Sequence, residues 1–162
     1  MKKSPSVLYF LTIMALDLKN SLLYFDFFID TPKSKEALSY VSNMGYIFVV
    51  DKLLKEFPSL SSEIILKLKT INTLILALDK ISDKCEMSKN NMTLRDQAKK
   101  CLSFMYGECL QMMVTEMDLN KLREIKESSL NDYIRFILDF EENESTLEIV
   151  PFFRSLLIKE IL

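Results

Sequence analysis

The sequence predicts a single all-α domain that spans residues 1–162 and contains about seven to eight helices. Only 2 Gly and 4 Pro occur in 162 residues, too few turn formers for a hairpin-rich β architecture. Leu, Lys, Glu and Met are abundant, and these residues lose little rotamer freedom in a helix. Apolar residues also recur at intervals of three and four, which is the period of an amphipathic helix.

The first predicted helix follows Ser4 and Pro5, an N-cap and a proline at the first helical position. Its apolar stripe comprises Val7, Leu11, Met14, Leu18, Leu22, Phe25 and Ile29. Lys2 and Lys3 also give residues 1–23 the outline of a signal peptide, although no small-x-small cleavage site follows. We interpret the segment as a core helix of a cytoplasmic protein; secretion after signal cleavage is the alternative. No stretch reaches the 18 unbroken apolar residues of a membrane span, so none is predicted.

Start and stop signals also bound the second and third helices. Thr31 begins a helix predicted over Pro32–Met44, and Gly45 provides a left-handed C-cap at its end. The third helix is predicted over Tyr46–Phe57, because Pro58 cannot continue it.

The fourth predicted helix runs from Ser62 to Ser82 and is apolar on two faces. The first face carries Ile64, Leu68, Ile71, Ile75 and Leu78. The second face carries Leu66, Leu74, Ala77 and Ile81. A helix of this kind is typical of the buried centre of a domain.

Polar residues 83–92 predict a loop before the fifth helix, which Thr93 caps. The inner stripe of this helix consists of Leu94, Ala98, Cys101, Met105, Cys109 and Met112. Asp118 is predicted to cap a short sixth helix that ends near Glu127, and Ser129 begins the seventh.

The last helix is predicted to open at Pro151, because proline is tolerated in the first turn of a helix and not deep inside it. Before it, the acidic residues 141–144 predict a turn.

The composition argues against catalysis and against a cofactor or metal site. The chain has no His, which removes the Ser-His-Asp and Cys-His arrangements and the Glu-x-x-His motif of helical di-iron sites. Two isolated glycines cannot form a P-loop or a dinucleotide-binding turn. Three cysteines leave an odd thiol, and Cys101 and Cys109 are about 12 Å apart along a helix, beyond disulfide reach. We therefore predict a non-enzyme with free thiols in a reducing compartment.

The charge is small overall and uneven along the chain. The net charge is -2, whereas residues 116–148 hold ten acids against four bases, a local charge of -6. Because no basic face is clustered, we do not expect nucleic-acid binding. A partner with a basic surface is a further hypothesis for the acidic third, where it would face Glu124, Glu127, Glu141 and Glu142.

One segment resembles the helix-turn-helix step of an armadillo repeat. The sequence Glu36-Ala37-Leu38 leads to Asn43 and Gly45, and apolar residues follow at Ile47, Val50, Leu53 and Leu54. The resemblance covers residues 36–82 and departs from the family at Phe48 and Asp51. It implies a right-handed helical array that binds a peptide or protein partner on a concave face lined by the fourth and fifth helices. The partner-binding candidates are Asn72, Thr73, Met105, Tyr106, Met112 and Met113, and the alternative interpretation of the Met residues is that they belong to the core.

Two other architectures fit the same helices. A compact bundle around a central apolar helix is similar to the Bcl-2-like proteins that some viruses encode, and it would capture an amphipathic helix in a groove. The Asn-Trp-Gly-Arg signature of the cellular members is absent. A secreted helical cytokine or effector is the third possibility, and it requires cleavage of the N-terminal segment. The function that these features favour is a non-catalytic interaction scaffold or adaptor.

Overall fold

The computed structural model describes residues 6–28, 46–87, 92–138 and 146–162, and within these residues the chain is helical without a strand. The α-helices are α1 (Val7–Phe28), α2 (Tyr46–Glu56), α3 (Ser62–Met87), α4 (Met92–Glu116), α5 (Leu119–Glu124), α6 (Leu130–Ile137) and α7 (Thr146–Leu156). A 3₁₀ turn at Glu127–Ser129 precedes α6, and a π-helical turn at Leu157–Ile161 extends α7. The predicted all-α class is confirmed. The predicted helix over residues 32–44 and the turn at residues 141–144 lie outside the described residues.

Short polar side chains begin three of the helices. Ser6 Oγ accepts the Tyr9 backbone N–H at 3.1 Å at the start of α1. The predicted cap, Ser4, lies two residues earlier and outside the described residues. Ser61 Oγ accepts the Ile64 N–H at 3.3 Å at the start of α3. The predicted cap of α5 is confirmed, because the Asp118 carboxylate accepts the N–H of the residue three positions on, at 3.3 Å. Each bond satisfies a backbone donor that has no partner within the helix.

Three predicted boundaries are wrong. α3 continues to Met87, through residues predicted as a loop, because Lys84, Glu86 and Met87 are good helix formers although two of them are polar. α4 begins at Met92, so Thr93 lies inside it. α5 ends at Glu124, three residues earlier than expected.

Pro151 lies inside α7 and does not open it, which corrects a fourth prediction. The helix begins five residues earlier. Because proline has no backbone N–H, residue 151 cannot donate the helical hydrogen bond to the carbonyl of Leu147. Since Leu147 is 76% exposed, that region of the backbone is open to solvent. Burial of Ile149, Val150 and Phe153 stabilises the turns on both sides of the proline.

The core is built around α1, which packs along α4 and also contacts α2 and α7. Leu11, Met14 and Leu18 are completely buried on α1. On α4, the buried Cys109 donates through its Sγ to the Leu11 carbonyl oxygen at 3.2 Å, which fixes one point of the α1–α4 contact. The buried Thr12 hydroxyl donates to the Leu8 carbonyl at 2.7 Å, so this polar group is satisfied inside the helix.

α1 is also the one described helix that is long and apolar enough to cross a membrane, over Val7–Tyr24. A signal sequence and the core helix of a globular protein share this composition. In this structure α1 packs as a core helix.

α3 is peripheral, although its two apolar faces predicted a central position. It contacts α4 and α2, and on its second face Leu66 is 67% exposed whereas Ile81 is buried. Leu74 and Ala77 on that face are only partly covered. The prediction was wrong because an apolar side chain is buried only where another element covers it, and α1 fills the centre of the domain.

Candidate functional site

The six predicted partner-binding residues fall into two groups. Met105, Met112 and Met113 are completely buried on the inner face of α4, which places them in the core. Asn72 and Thr73 are exposed on α3.

Tyr106, the sixth of these residues, is half-buried on another side of α4. Its hydroxyl donates to Glu160 Oε2 at 2.8 Å, and Lys19 Nζ lies 5.5 Å from the centre of its ring. Burial and, secondarily, the Glu160 carboxylate raise the pKa of Tyr106, so this hydroxyl acts as a hydrogen-bond donor. Glu108 faces α3, and Tyr106 lies two positions before it on α4. Side chains two positions apart on a helix point about 200° away from each other, so Tyr106 faces away from α3. The structure therefore does not bring Tyr106 together with Asn72 and Thr73.

A polar contact joins α3 to α4 and sets their register. Lys67 Nζ lies 2.9 Å from Glu108 Oε2 and donates to Gln111 Oε1 at 2.7 Å. The Lys67 and Glu108 side chains are only 18% and 16% exposed. Since Lys67 is near the start of α3 and both partners are near the end of α4, the two helices are antiparallel. Burial shields this pair from solvent and holds the two helices at one relative position.

Near this contact, several uncharged residues lie at helical spacing on one side of α3 and on one side of α4. The exposed charged residues Glu63, Lys69 and Lys100 lie beside them. We call the surface the α3–α4 strip, and it comprises Leu66, Thr70, Thr73, Phe104, Gly107 and Val114. Leu66 is 67% exposed and Phe104 is 51% exposed.

The two threonines of the strip keep their hydroxyls bonded within α3. Thr70 Oγ1 donates to the Leu66 carbonyl at 3.0 Å, and Thr73 Oγ1 donates to the Lys69 carbonyl at 3.1 Å. These hydroxyl protons are therefore already used. The hydroxyl oxygens can still accept a hydrogen bond from water or from a partner.

Gly107 lies in the middle of α4 and on the strip. A Cβ atom built at this position would meet nothing within 4 Å, so no packing inside the chain requires glycine there. Glycine in an exposed helix interior costs about 1 kcal/mol relative to alanine. The missing side chain leaves the α4 backbone open to close approach by another molecule.

Among the described residues, potential metal ligands are dispersed and the cysteine thiols are at least partly buried. No group of three His, Cys, Asp or Glu side chains in these residues is placed to hold a metal ion. Burial raises the pKa of the Cys109 thiol, and burial also raises the pKa of the half-buried Cys101 thiol. Both cysteines are free, and a raised pKa keeps a thiol in its less nucleophilic protonated form.

Sequence reasoning missed Leu66 as a surface residue and did not identify Phe104 or Gly107. A signal was present, because α3 and α4 carry apolar residues on more than one face. That signal does not say which face is covered. The α1–α4 packing decides it.

No protein-family model, curated protein or solved structure matches this chain. Function must therefore be argued from the geometry of the α3–α4 strip and its surroundings, and the armadillo resemblance of residues 36–82 stays a prediction.

Proposed function

We propose that this protein is a non-catalytic interaction scaffold that binds a protein or peptide partner on the α3–α4 strip. The observation that carries the proposal is a set of exposed or partly exposed uncharged residues on two helices, in which both threonine hydroxyls donate within α3. Leu66 and Phe104 contribute large apolar side chains to it. Exposed apolar surface does not stabilise the free chain, and it gains free energy when a partner removes it from water.

The strip is well suited to docking because it is held rigidly. The inner face of α4 is fixed by completely buried side chains such as Met105 and Met112. The Lys67–Glu108 ion pair joins α4 to α3 beneath the strip. A surface that is already ordered loses little conformational entropy on binding, and more of the contact energy remains as affinity.

The shape of the strip favours an elongated partner. The strip follows the lengths of α3 and α4, and Gly107 contributes no side chain to it. A helical partner would place apolar residues along the strip at intervals of three and four, as in the groove-binding alternative. An extended peptide would show alternate residues instead.

The proposal is tested by selecting a displayed library of random peptides against the full-length protein and measuring the affinity of the enriched peptides. We expect Phe104→Ser to weaken their binding about tenfold or more, because a central aromatic contact is commonly a binding hot spot. The spacing of apolar residues in the selected peptides distinguishes the helical from the extended mode.

The matched control is Phe48→Ser on α2, since Phe48 is also a phenylalanine and is 64% exposed. It should change the affinity less than about twofold. Equal losses in both variants, or peptides that bind Phe104→Ser as tightly as the original protein, would refute docking on the strip.

A further inference from the structure

A cavity of about 370 Å³ opens where the start of α1, the α4–α5 junction and α6 meet. It lies away from the α3–α4 strip, and the proposed function does not use it. Its size is within the range of pockets that bind small organic groups. Three elements distant in sequence form its wall, so the cavity is a product of the tertiary fold.

The charged side chains of the wall are acidic among the described residues. Glu116 and Asp118 line the cavity, and no described Lys or Arg does. The start of α1 also faces it, and a helix N-terminus has about half a positive charge. Two full negative charges exceed that half charge, so the described wall contributes a negative potential. The same sign extends over residues 116–148, whose net charge is -6.

Aromatic and apolar side chains complete the wall. Tyr133 and Phe136 both line the cavity, and the faces of aromatic rings attract cations. Val7 and Leu122 add aliphatic surface. Carboxylates beside aromatic rings favour a bound cationic group, and aliphatic surface favours contact with a methylene chain. Lys and Arg side chains have both a methylene chain and a terminal cationic group.

We propose that this cavity binds the Lys or Arg side chain of a partner protein, with its cation near Glu116 and Asp118 and its stem against Val7 and Leu122. The site goes beyond the proposed function, because it recognises charge where the α3–α4 strip recognises apolar surface. It also gives a location to the basic partner expected for the acidic third. Of the acids expected to face that partner, Glu124 is exposed, Glu127 already pairs with Arg154 at 3.1 Å, and Glu141 and Glu142 lie outside the described residues.

The experiment is an NMR titration of the full-length protein with Nα-acetyl-arginine amide and Nα-acetyl-lysine amide. The neutral analogues Nα-acetyl-citrulline amide and Nα-acetyl-norleucine amide are the matched controls. We expect the cationic probes to shift the Leu122 and Tyr133 signals, with an affinity that falls as salt rises. The neutral probes should leave these signals nearly unchanged.

Two variants connect the binding to the cavity. Glu116→Gln removes one charge from the wall and should weaken the cationic probes about fivefold, the effect of about one unit charge at contact distance in water. Glu63→Gln, an exposed acid at the start of α3, makes the same change in net charge and should have no effect. Glu116 is preferred to Asp118, because Asp118 also caps α5. Unchanged signals from the buried core residues show that each variant is folded.

Three results would overturn the proposal. One is an equal response to cationic and neutral probes, and another is equal weakening by both variants. The third is the absence of shifts at the cavity with probe on the order of 50 mM, well above a millimolar affinity. If the cationic probes bind only after Lys2 and Lys3 are replaced by alanine, the chain's own lysines are the ligand and the partner assignment is wrong.

Discussion

Apolar side chains lie on both the inner and the outer face of α4, but only those on the inner face are covered. The inner face buries Met105, Cys109 and Met112 completely, against a core centred on α1. The outer face leaves Phe104 half exposed and Val114 more than one-third exposed. The difference shows that the apolar character of a face does not determine whether it is covered.

The two faces also differ in what they contribute to stability. Burying a large apolar side chain contributes about 1.5–3 kcal/mol, so the inner face stabilises the fold. The outer face contributes far less, because its side chains remain in contact with water. The proposed scaffold function would give these exposed apolar residues a role in binding.

The largest expected effect comes from removing the element that covers the inner face. Deletion of residues 1–28, which include α1, should expose the Met residues of α4 and abolish cooperative unfolding. Circular dichroism and thermal denaturation of the truncated protein measure this. A truncated chain that unfolds cooperatively would show that α1 is dispensable, as a cleaved signal would be, and would remove the basis for calling this face inner.

A direct test compares neighbouring residues on opposite faces. Met105→Ala should lower the free energy of unfolding by about 2–5 kcal/mol, because it leaves a cavity in the core. Phe104→Ala removes a larger side chain but should cost less than about 1 kcal/mol, since most of that ring is already in water or at the surface. Urea denaturation measures both values. Similar losses for the two variants would contradict the assignment of the faces.

The smallest expected effect has the opposite sign. Gly107→Ala should raise the free energy of unfolding by roughly 0.5–1 kcal/mol, because alanine favours the helix and its methyl group meets no atom within 4 Å. The same variant should weaken the selected peptides if they approach the α4 backbone closely. Gly107 thereby separates the two properties, with stability rising as binding falls. A loss of stability would show that the position is more crowded than its geometry indicates.

The sequence predicted the helices better than their surroundings. Asp118 could be identified as a cap because a cap depends on residues within one turn. Leu66 was assigned to an apolar face, but its exposure depends on α1, which ends at Phe28, 38 residues earlier in the sequence. The sequence also did not determine whether Met105, Met112 and Met113 would be covered, because a Met residue on an apolar face suits both a core and a binding surface.

The sequence by itself determined the all-α class, most helix boundaries to within a few residues, and the absence of histidine chemistry, since these follow from composition and from interactions within a turn or two. The tertiary structure decided that α1 occupies the centre and that the second apolar face of α3 is only partly covered. It also brought together the cavity wall from Val7, Glu116 and Tyr133. These features depend on contacts between residues far apart in the chain, where local propensity and periodicity carry no information.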